Sequence, residues 1–303
     1  MHLCQNLLTE GYEIYGIDNM NNYYDPALKE ARLTRLKSHN NFKFKKADIS
    51  DIDVLKKVFS SFMPDIVVNL AAQAGVRYSL INPNAYMQSN VIGFLNILDC
   101  CVQYNSKGLI FASSSSVYGG NDKKPFSVDD IVNKPISIYA TSKLTNELMA
   151  HTYSHLYGLH TTGLRFFTVY GPWGRPDMAY YIFCDKISKK QPISIYNNGN
   201  MKRDFTYIDD IISGVKSSIL KNYKYEIFNL GNNCSERLID FIEQIENCMG
   251  LQAIRQYEDM QLGDVKETCA DIAYTKDMLD YHPKVGIDVG IPRFIEWYKN
   301  YVQ

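Results

Sequence analysis

What most constrains the fold of this chain is an alternation of short apolar runs with longer amphipathic stretches through its first half. Tyr12 to Ile17, Phe42 to Lys46, Ile66 to Leu70 and Gly108 to Ser113 read as strands, with helical spacing between them. Ile66-Val67-Val68-Asn69-Leu70 is apolar except at Asn69, the pattern of a strand covered on both faces. Strand, helix, strand repetition with right-handed crossovers predicts an α/β fold built on a doubly wound parallel sheet.

Pro83 to Asn105 places Val91, Phe94, Leu95, Leu98 and Val102 at helical spacing and predicts one long helix, and Tyr139 to Gly158 predicts another. The two are expected to form the interface of a homodimer, since closed dimers are the commonest assembly. After Gly171 the regular alternation ends, and Pro172, Gly174, Pro176 and Pro192 mark loops that feed a smaller α/β domain. The expected division is 1–170 and 171–303, with the strand Tyr225 to Leu230 making the second domain partly interleaved with the first.

Composition then excludes several functions. Over 303 residues, 32 Lys and Arg stand against 33 Asp and Glu, a net charge of −1, so no global field draws the chain to nucleic acid or to an anionic membrane. Any anionic ligand must be held by local groups. The seven cysteines show no CxxC pair, which argues against a disulfide framework or zinc site and makes a reducing cytoplasm the expectation. His151 and His155 lie four apart on a helix, but no third metal ligand accompanies them. No apolar run reaches the length of about 18 residues that a membrane span requires, and no signal peptide opens the chain.

The pattern that carries chemistry is Tyr139-Ala140-Thr141-Ser142-Lys143, a phenol and an ammonium on adjacent turns of one helical face. A nearby cation favours phenolate, so Lys143 makes Tyr139 a usable base near neutral pH. Alone this spacing is common on protein surfaces. It gains meaning from Ser113-Ser114-Ser115-Ser116-Val117-Tyr118-Gly119, which puts hydroxyls directly after the strand Leu109-Ile110-Phe111, where ligands of open α/β sheets bind.

With these residues the sequence resembles the extended short-chain dehydrogenases, the NAD-dependent epimerase/dehydratase family. The resemblance implies a Rossmann-like domain, bound NAD, and catalysis by Ser114, Tyr139 and Lys143 on a sugar hydroxyl. It runs along nearly the whole chain. Asp18, with Asn19 after it, sits where an acid binds the adenosine ribose and favours NAD over NADP. Asp48-Ile49 resembles the adenine contact, and Leu70-Ala71-Ala72-Gln73 the loop beside the cofactor's phosphate and ribose; Asn90, Ser113 and Phe166 complete the expected cofactor set.

Arg165 to Ala179, which contains Phe166-Phe167-Thr168-Val169-Tyr170-Gly171-Pro172-Trp173-Gly174-Arg175, looks like the signature stretch of UDP-glucuronate 4-epimerases. A planar guanidinium such as that of Arg175 suits a uronic carboxylate better than a point charge does. Arg203, in Lys202-Arg203-Asp204-Phe205, resembles the residue that binds the UDP diphosphate, Tyr196 the aromatic against uracil, and Gln261 part of a later nucleotide contact. Ser115, Ser116, Thr168 and Arg175 are the expected restraints on the substrate carboxylate, and Arg77 joins the expected substrate set.

The implied reaction is 4-epimerisation of a UDP-sugar, UDP-glucuronate to UDP-galacturonate, by transient oxidation at C4. Dehydratases and decarboxylases of the same family carry an acid just after the Ser or Thr; here the run is Ser-Ser-Ser-Ser-Val-Tyr, which disfavours both. A neutral-sugar 4-epimerase and a UDP-glucuronate decarboxylase remain the enzymatic alternatives.

The helix from His2 should follow a strand and a G-x-x-G-x-x-G turn, yet the chain opens at Met1. In this fold that strand lies mid-sheet, and its turn binds pyrophosphate. The expectation is that its absence leaves two neighbouring strands unpaired and removes much of the NAD affinity. The favoured explanation is a start assigned too far downstream, ahead of a truncated gene or a non-catalytic sugar-nucleotide-binding relative, because every downstream catalytic position is intact.

Overall fold

A computed structural model describes residues 1–302. In chain order the elements are α1 (His2–Thr9), β1 (Ile14–Asp18), α2 (Pro26–Lys37), β2 (Phe42–Lys46), α3 (Ile52–Phe62), β3 (Ile66–Asn69), α4 (Tyr78–Ile81), α5 (Pro83–Tyr86), α6 (Gly93–Gln103), β4 (Gly108–Ser114), α7 (Ile138–Tyr157), β5 (His160–Phe166) and β6 (Thr168–Tyr170). There follow α8 (Ala179–Ser188), β7 (Pro192–Ile195), β8 (Lys202–Tyr207), α9 (Ile208–Lys221), β9 (Tyr225–Leu230), β10 (Ser235–Arg237), α10 (Leu238–Met249), β11 (Ile254–Tyr257), α11 (Ala273–Leu279) and α12 (Ile287–Val302).

The chain divides into two compact units that exchange segments. The first comprises 1–119, 131–165 and 212–228, and the second 120–130, 166–211 and 229–303. β9 hydrogen-bonds to the edge of β5 and so returns the chain to the first sheet.

In the first unit β1 pairs with β2, and a separate sheet runs in the order β3-β4-β5-β9. The pairs β1–β2 and β3–β4 are parallel, in registers that set Asp18 beside Lys46 and Asn69 beside Phe111. Among the described residues β1 and β3 each have a strand partner on one side only. Ile66, Val67 and Val68 are half-buried, where continuous apolarity predicted cover on both faces. The core of this unit gathers Leu55 and Phe59 of α3, Phe94 and Leu98 of α6, and Leu109 and Phe111 of β4.

Helix ends follow from local chemistry. Asp51 caps α3 by accepting from the amides of Asp53 and Val54, each at 3.1 Å. Ser137 caps α7 through the amide of Ala140 at 3.1 Å, and Gly158 ends it in the left-handed conformation at φ 69°. The long helix expected over 83–105 runs without a gap from Pro83 to Gln103, with a π-helical turn, Met87–Ile92, between α5 and α6. Such turns gather at functional sites. This one seats Asn90 in the interior.

The second unit holds a sheet ordered β10-β8-β6 and the pair β11–β7. Its core centres on Phe205 stacked on Phe241, centroids 3.9 Å apart, with Tyr170 edge-on to both and Tyr180 edge-on to Tyr170 and to Phe294.

Candidate active site

In the first unit, β4 delivers the serine run to its carboxyl end. Ser114 terminates the strand, and its Oγ accepts from the Ser116 amide at 3.2 Å and contacts the Ser116 Oγ at 2.9 Å. That bond caps the 3₁₀ turn Ser115–Tyr118, so Ser115 and Ser116 sit half-buried directly beside Ser114.

Tyr139 and Lys143 occupy successive turns near the start of α7. Lys143 is 3% exposed, and its ammonium donates to the carbonyl of Ala112 at 2.8 Å, tying the helix to β4. The same nitrogen lies 6.0 Å from the Tyr139 ring centroid. Tyr139 also meets Tyr86 edge-on at 6.1 Å, and the Tyr86 hydroxyl donates to the carbonyl of Ala74 at 2.8 Å. Tyr139 thus neighbours a cation and an aromatic that is itself anchored to the loop after β3.

Deeper in, the Glu147 carboxylate grips Arg165, Nε to Oε1 at 2.9 Å and Nη2 to Oε2 at 2.8 Å, and accepts from the Ser113 hydroxyl. Arg165 also donates to the Tyr118 hydroxyl at 3.0 Å. Burial opposes the guanidinium charge, but the Glu147 bonds outweigh it and raise the Arg165 pKa. This network locks α7, β4 and β5 together behind the serines. It was invisible in the sequence because no local spacing pairs Glu147 with Arg165, 18 positions further on.

The expected cofactor residues line the ends of β1, β2 and β3. Asp18 ends β1 exposed, one carboxylate oxygen accepting the amide of Met20 at 2.7 Å. Asn19 donates to Asp48 at 2.8 Å. Burial acts to raise the Asp48 pKa, and the bonds from Asn19 and Ser50 overcome it, so the group lies below the ordinary carboxylate value. Ile49 is turned into the core. Leu70 and Ala71 are exposed, with Ala72 half-buried and Gln73 buried.

Asn90, 1% exposed, holds that loop: it accepts from the amide of Gln73 at 2.8 Å and donates to the Gln73 carbonyl at 3.0 Å and to Ser142 at 2.9 Å. Its side chain therefore braces the loop against α7. Ser113 similarly spends its hydroxyl on Glu147, and Arg77 stands exposed at the start of α4.

In the second unit, Phe166 is half-buried at the end of β5, and Thr168 opens β6 opposite Phe205 of β8. Arg175 lies in the loop before α8, where Asp177 takes its Nε at 3.0 Å and its Nη2 at 3.1 Å. The sequence reading missed this partner, although it stands two residues away. Tyr196 begins the 3₁₀ turn after β7. Arg203 donates from Nη1 to the carbonyls of Lys202 at 2.8 Å and Lys266 at 3.2 Å, and its Nη2 is 3.8 Å from Asp264. Gln261 is half-buried in the same segment as Asp264.

Among the described residues no cluster of three or more His, Cys, Asp or Glu could hold a metal, and no helix is long and apolar enough to cross a membrane.

Comparison with known proteins agrees with this geometry. The profile of the "NAD dependent epimerase/dehydratase family" matches residues 1–231. The UDP-glucuronate 4-epimerase of Thermodesulfobacterium geofontis is 44% identical, over 98% of this chain and 92% of its own. Protein CapI of Staphylococcus aureus is 48% identical, over 99% and 95%. The crystal structure of UDP-glucuronic acid 4-epimerase from Bacillus cereus, in complex with UDP-glucuronic acid and NAD, superposes with a TM-score of 0.93 at 32% identity, covering 99% of this chain and 95% of that one. With a parallel α/β sheet, a Tyr–Lys pair on the helix beside it and likeness along nearly its whole length, the chain belongs to the NAD-dependent epimerase/dehydratase family.

Proposed function

We propose that this chain interconverts UDP-glucuronate and UDP-galacturonate by transient oxidation at C4. What carries the reading is the coincidence of Ser114, Tyr139 and Lys143 on β4 and α7 with near-full-length likeness to UDP-glucuronate 4-epimerases.

The donor set suits NAD. The Asp18 carboxylate offers an acceptor for ribose hydroxyls, the Asn19–Asp48 pair offers groups for an adenine amine, and the loop 70–73 is held ready by Asn90. When bound, NAD supplies an acceptor for the C4 hydride and returns it to the opposite face of the sugar. Tyr139 takes the proton of the C4 hydroxyl and later gives it back. Lys143 favours the charged phenol, and Ser114 bonds the same sugar oxygen. A 4-keto uronate is prone to lose carbon dioxide, so its carboxylate must be restrained. Ser115, Ser116, Thr168 and Arg175 are assigned that restraint, with Arg203, Tyr196 and Gln261 assigned to the UDP moiety.

The acid that a dehydratase or decarboxylase places after the Ser or Thr is replaced here by Ser115 and Ser116. Exposed Leu148, Leu156 and Tyr157 on α7 support a homodimer through that helix, and the seven free cysteines support a reducing cytoplasm.

The test is incubation of the protein with UDP-glucuronate and NAD, with products resolved by chromatography. UDP-galacturonate is the expected product. A UDP-pentose released with carbon dioxide, or turnover of UDP-glucose in preference to the uronate, would refute the assignment.

A further inference from the structure

Asp204 follows Arg203 on β8 and is 0% exposed. One carboxylate oxygen accepts from the amide of Asn232 at 2.6 Å and from the Thr206 hydroxyl at 3.1 Å. The other accepts from the amides of Asn233 at 3.0 Å and Ala270 at 2.9 Å. Its own amide donates to the Thr268 hydroxyl at 3.1 Å. Four donors thus converge on one side chain from β8 itself, from the turn after β9 and from the segment that runs on from Gln261. Gly231 lets them close: a Cβ there would stand 2.4 Å from the Ala270 Cβ and 3.1 Å from the carboxylate.

Among the described residues no Lys or Arg forms an ion pair with Asp204. A buried anion held only by amides and a hydroxyl is costly, and burial pushes its pKa up to about 6 despite the four bonds. The geometry explains why a carboxylate is nevertheless used. Both oxygens must accept, each from two donors, and an acid is acceptor-only when ionised. An amide would aim its own N–H groups at two of these donors.

We infer that Asp204 is a positioning residue for the sugar-nucleotide cradle: its carboxylate fastens the 266–270 segment and the 231–233 turn to β8, and thereby fixes the guanidinium of Arg203 for the diphosphate. The inference rests on the function proposed above. Arg203 depends on that segment directly, since the Lys266 carbonyl is one of its two backbone acceptors. The amide of Lys202 bonds the same carbonyl at 2.9 Å, and the amide of Thr268 bonds the Lys202 carbonyl at 3.2 Å. Releasing Asp204 therefore unfastens the scaffold of Arg203 without touching Tyr139, Lys143 or Ser114.

The cradle should loosen as Asp204 protonates. The thiols of Cys234 and Cys269 and the phenol of Tyr281 feel the Asp204 charge, but all three are held protonated by raised pKa values. The charged neighbours on the adjoining segments are Lys202, Arg203, Glu236, Arg237, Lys266, Glu267 and Asp271.

The test uses the full chain as wild type, Asp204→Asn and Thr206→Val. UDP affinity is measured by calorimetry at pH 8, and the kinetics of UDP-glucuronate from pH 5 to 8, where that substrate keeps one charge state. Asp204→Asn should weaken UDP about 10-fold or more and raise KM in parallel, with kcat within about 3-fold, because it strands buried donors. Thr206→Val, which removes one donor and keeps the carboxylate, should weaken UDP by about 2-fold to 3-fold. Wild-type KM should climb below pH 6. If Asp204→Asn fails to fold by circular dichroism, Thr206→Val and the wild-type KM profile decide the matter. Wild-type UDP affinity in a folded Asp204→Asn, a loss confined to kcat, or a flat KM profile beside unchanged UDP affinity in Thr206→Val would overturn the inference. A wild type that binds no UDP would overturn the functional proposal and this inference with it.

Discussion

Replacing Glu147 by alanine removes the carboxylate paired with the Arg165 guanidinium, which is 4% exposed, and the structure sets the size of the effect. Three hydrogen bonds vanish, two from Arg165 and one from Ser113, leaving a buried cation that keeps its bond to the Tyr118 hydroxyl. Breaking a buried ion pair from one side costs about 3–5 kcal/mol, about a fifth or more of a typical stability of about 5–15 kcal/mol. The expected fall in Tm is roughly 10 °C, at about 2–4 °C per kcal/mol for a chain of this order of size. Replacing both partners, Glu147→Met with Arg165→Met, removes the stranded charge and should leave the protein within about 2 kcal/mol of wild type. Urea and thermal unfolding of the two variants, followed by circular dichroism, give the comparison. The reasoning fails if Glu147→Ala costs less than about 1 kcal/mol, or if the double variant is less stable than the single one.

The remaining predictions concern the site and its titration. Tyr139→Phe should lower kcat about 1000-fold or more while UDP affinity by calorimetry stays within about 2-fold, as for removal of a general base. Arg175→Ala should reduce the preference for UDP-glucuronate over UDP-glucose in kcat/KM by about 10-fold to 100-fold, the worth of a charge-assisted bond; an unchanged ratio would remove Arg175 from the carboxylate site. Burying the ionised Asp204 costs global stability even though its carboxylate fastens the cradle locally: with the folded pKa raised from 3.8 to about 6, that cost is absent below the unfolded value and sets in as pH rises through 6. The stability of wild type relative to Asp204→Asn should accordingly fall by about 2 kcal/mol between pH 4 and pH 7.5, measured by urea unfolding. Partial burial and the Glu236 carboxylate push the exposed Cys234 thiol up to about 11, so iodoacetamide at pH 8 should label it about 100-fold more slowly than a free thiol, timed by mass spectrometry.

Local spacing determined much of this protein from the sequence alone. Tyr139 and Lys143 share a helical face because an α-helix repeats every 3.6 residues, and Ser114 follows an apolar strand whose end is set by its own composition. β2 and β9 occupy Phe42–Lys46 and Tyr225–Leu230, the spans read from their apolar patterns. The serine run, the Arg175 loop and the Arg203 strand declare a family through their order, which needs no coordinates. Tertiary structure decided how those groups are held. The four donors on Asp204 come from residues 2 to 66 positions away, and Glu147 reaches Arg165 across 18. The Asn90 brace on Gln73 spans 17 and depends on a π-helical turn that no apolar periodicity announces. Hydrogen bonds of this kind carry no periodic signal, because a buried acceptor is satisfied by whichever amide the fold brings within 3 Å. The identity of a site residue is thus a local property of the chain, whereas its orientation and its charge state belong to the folded whole.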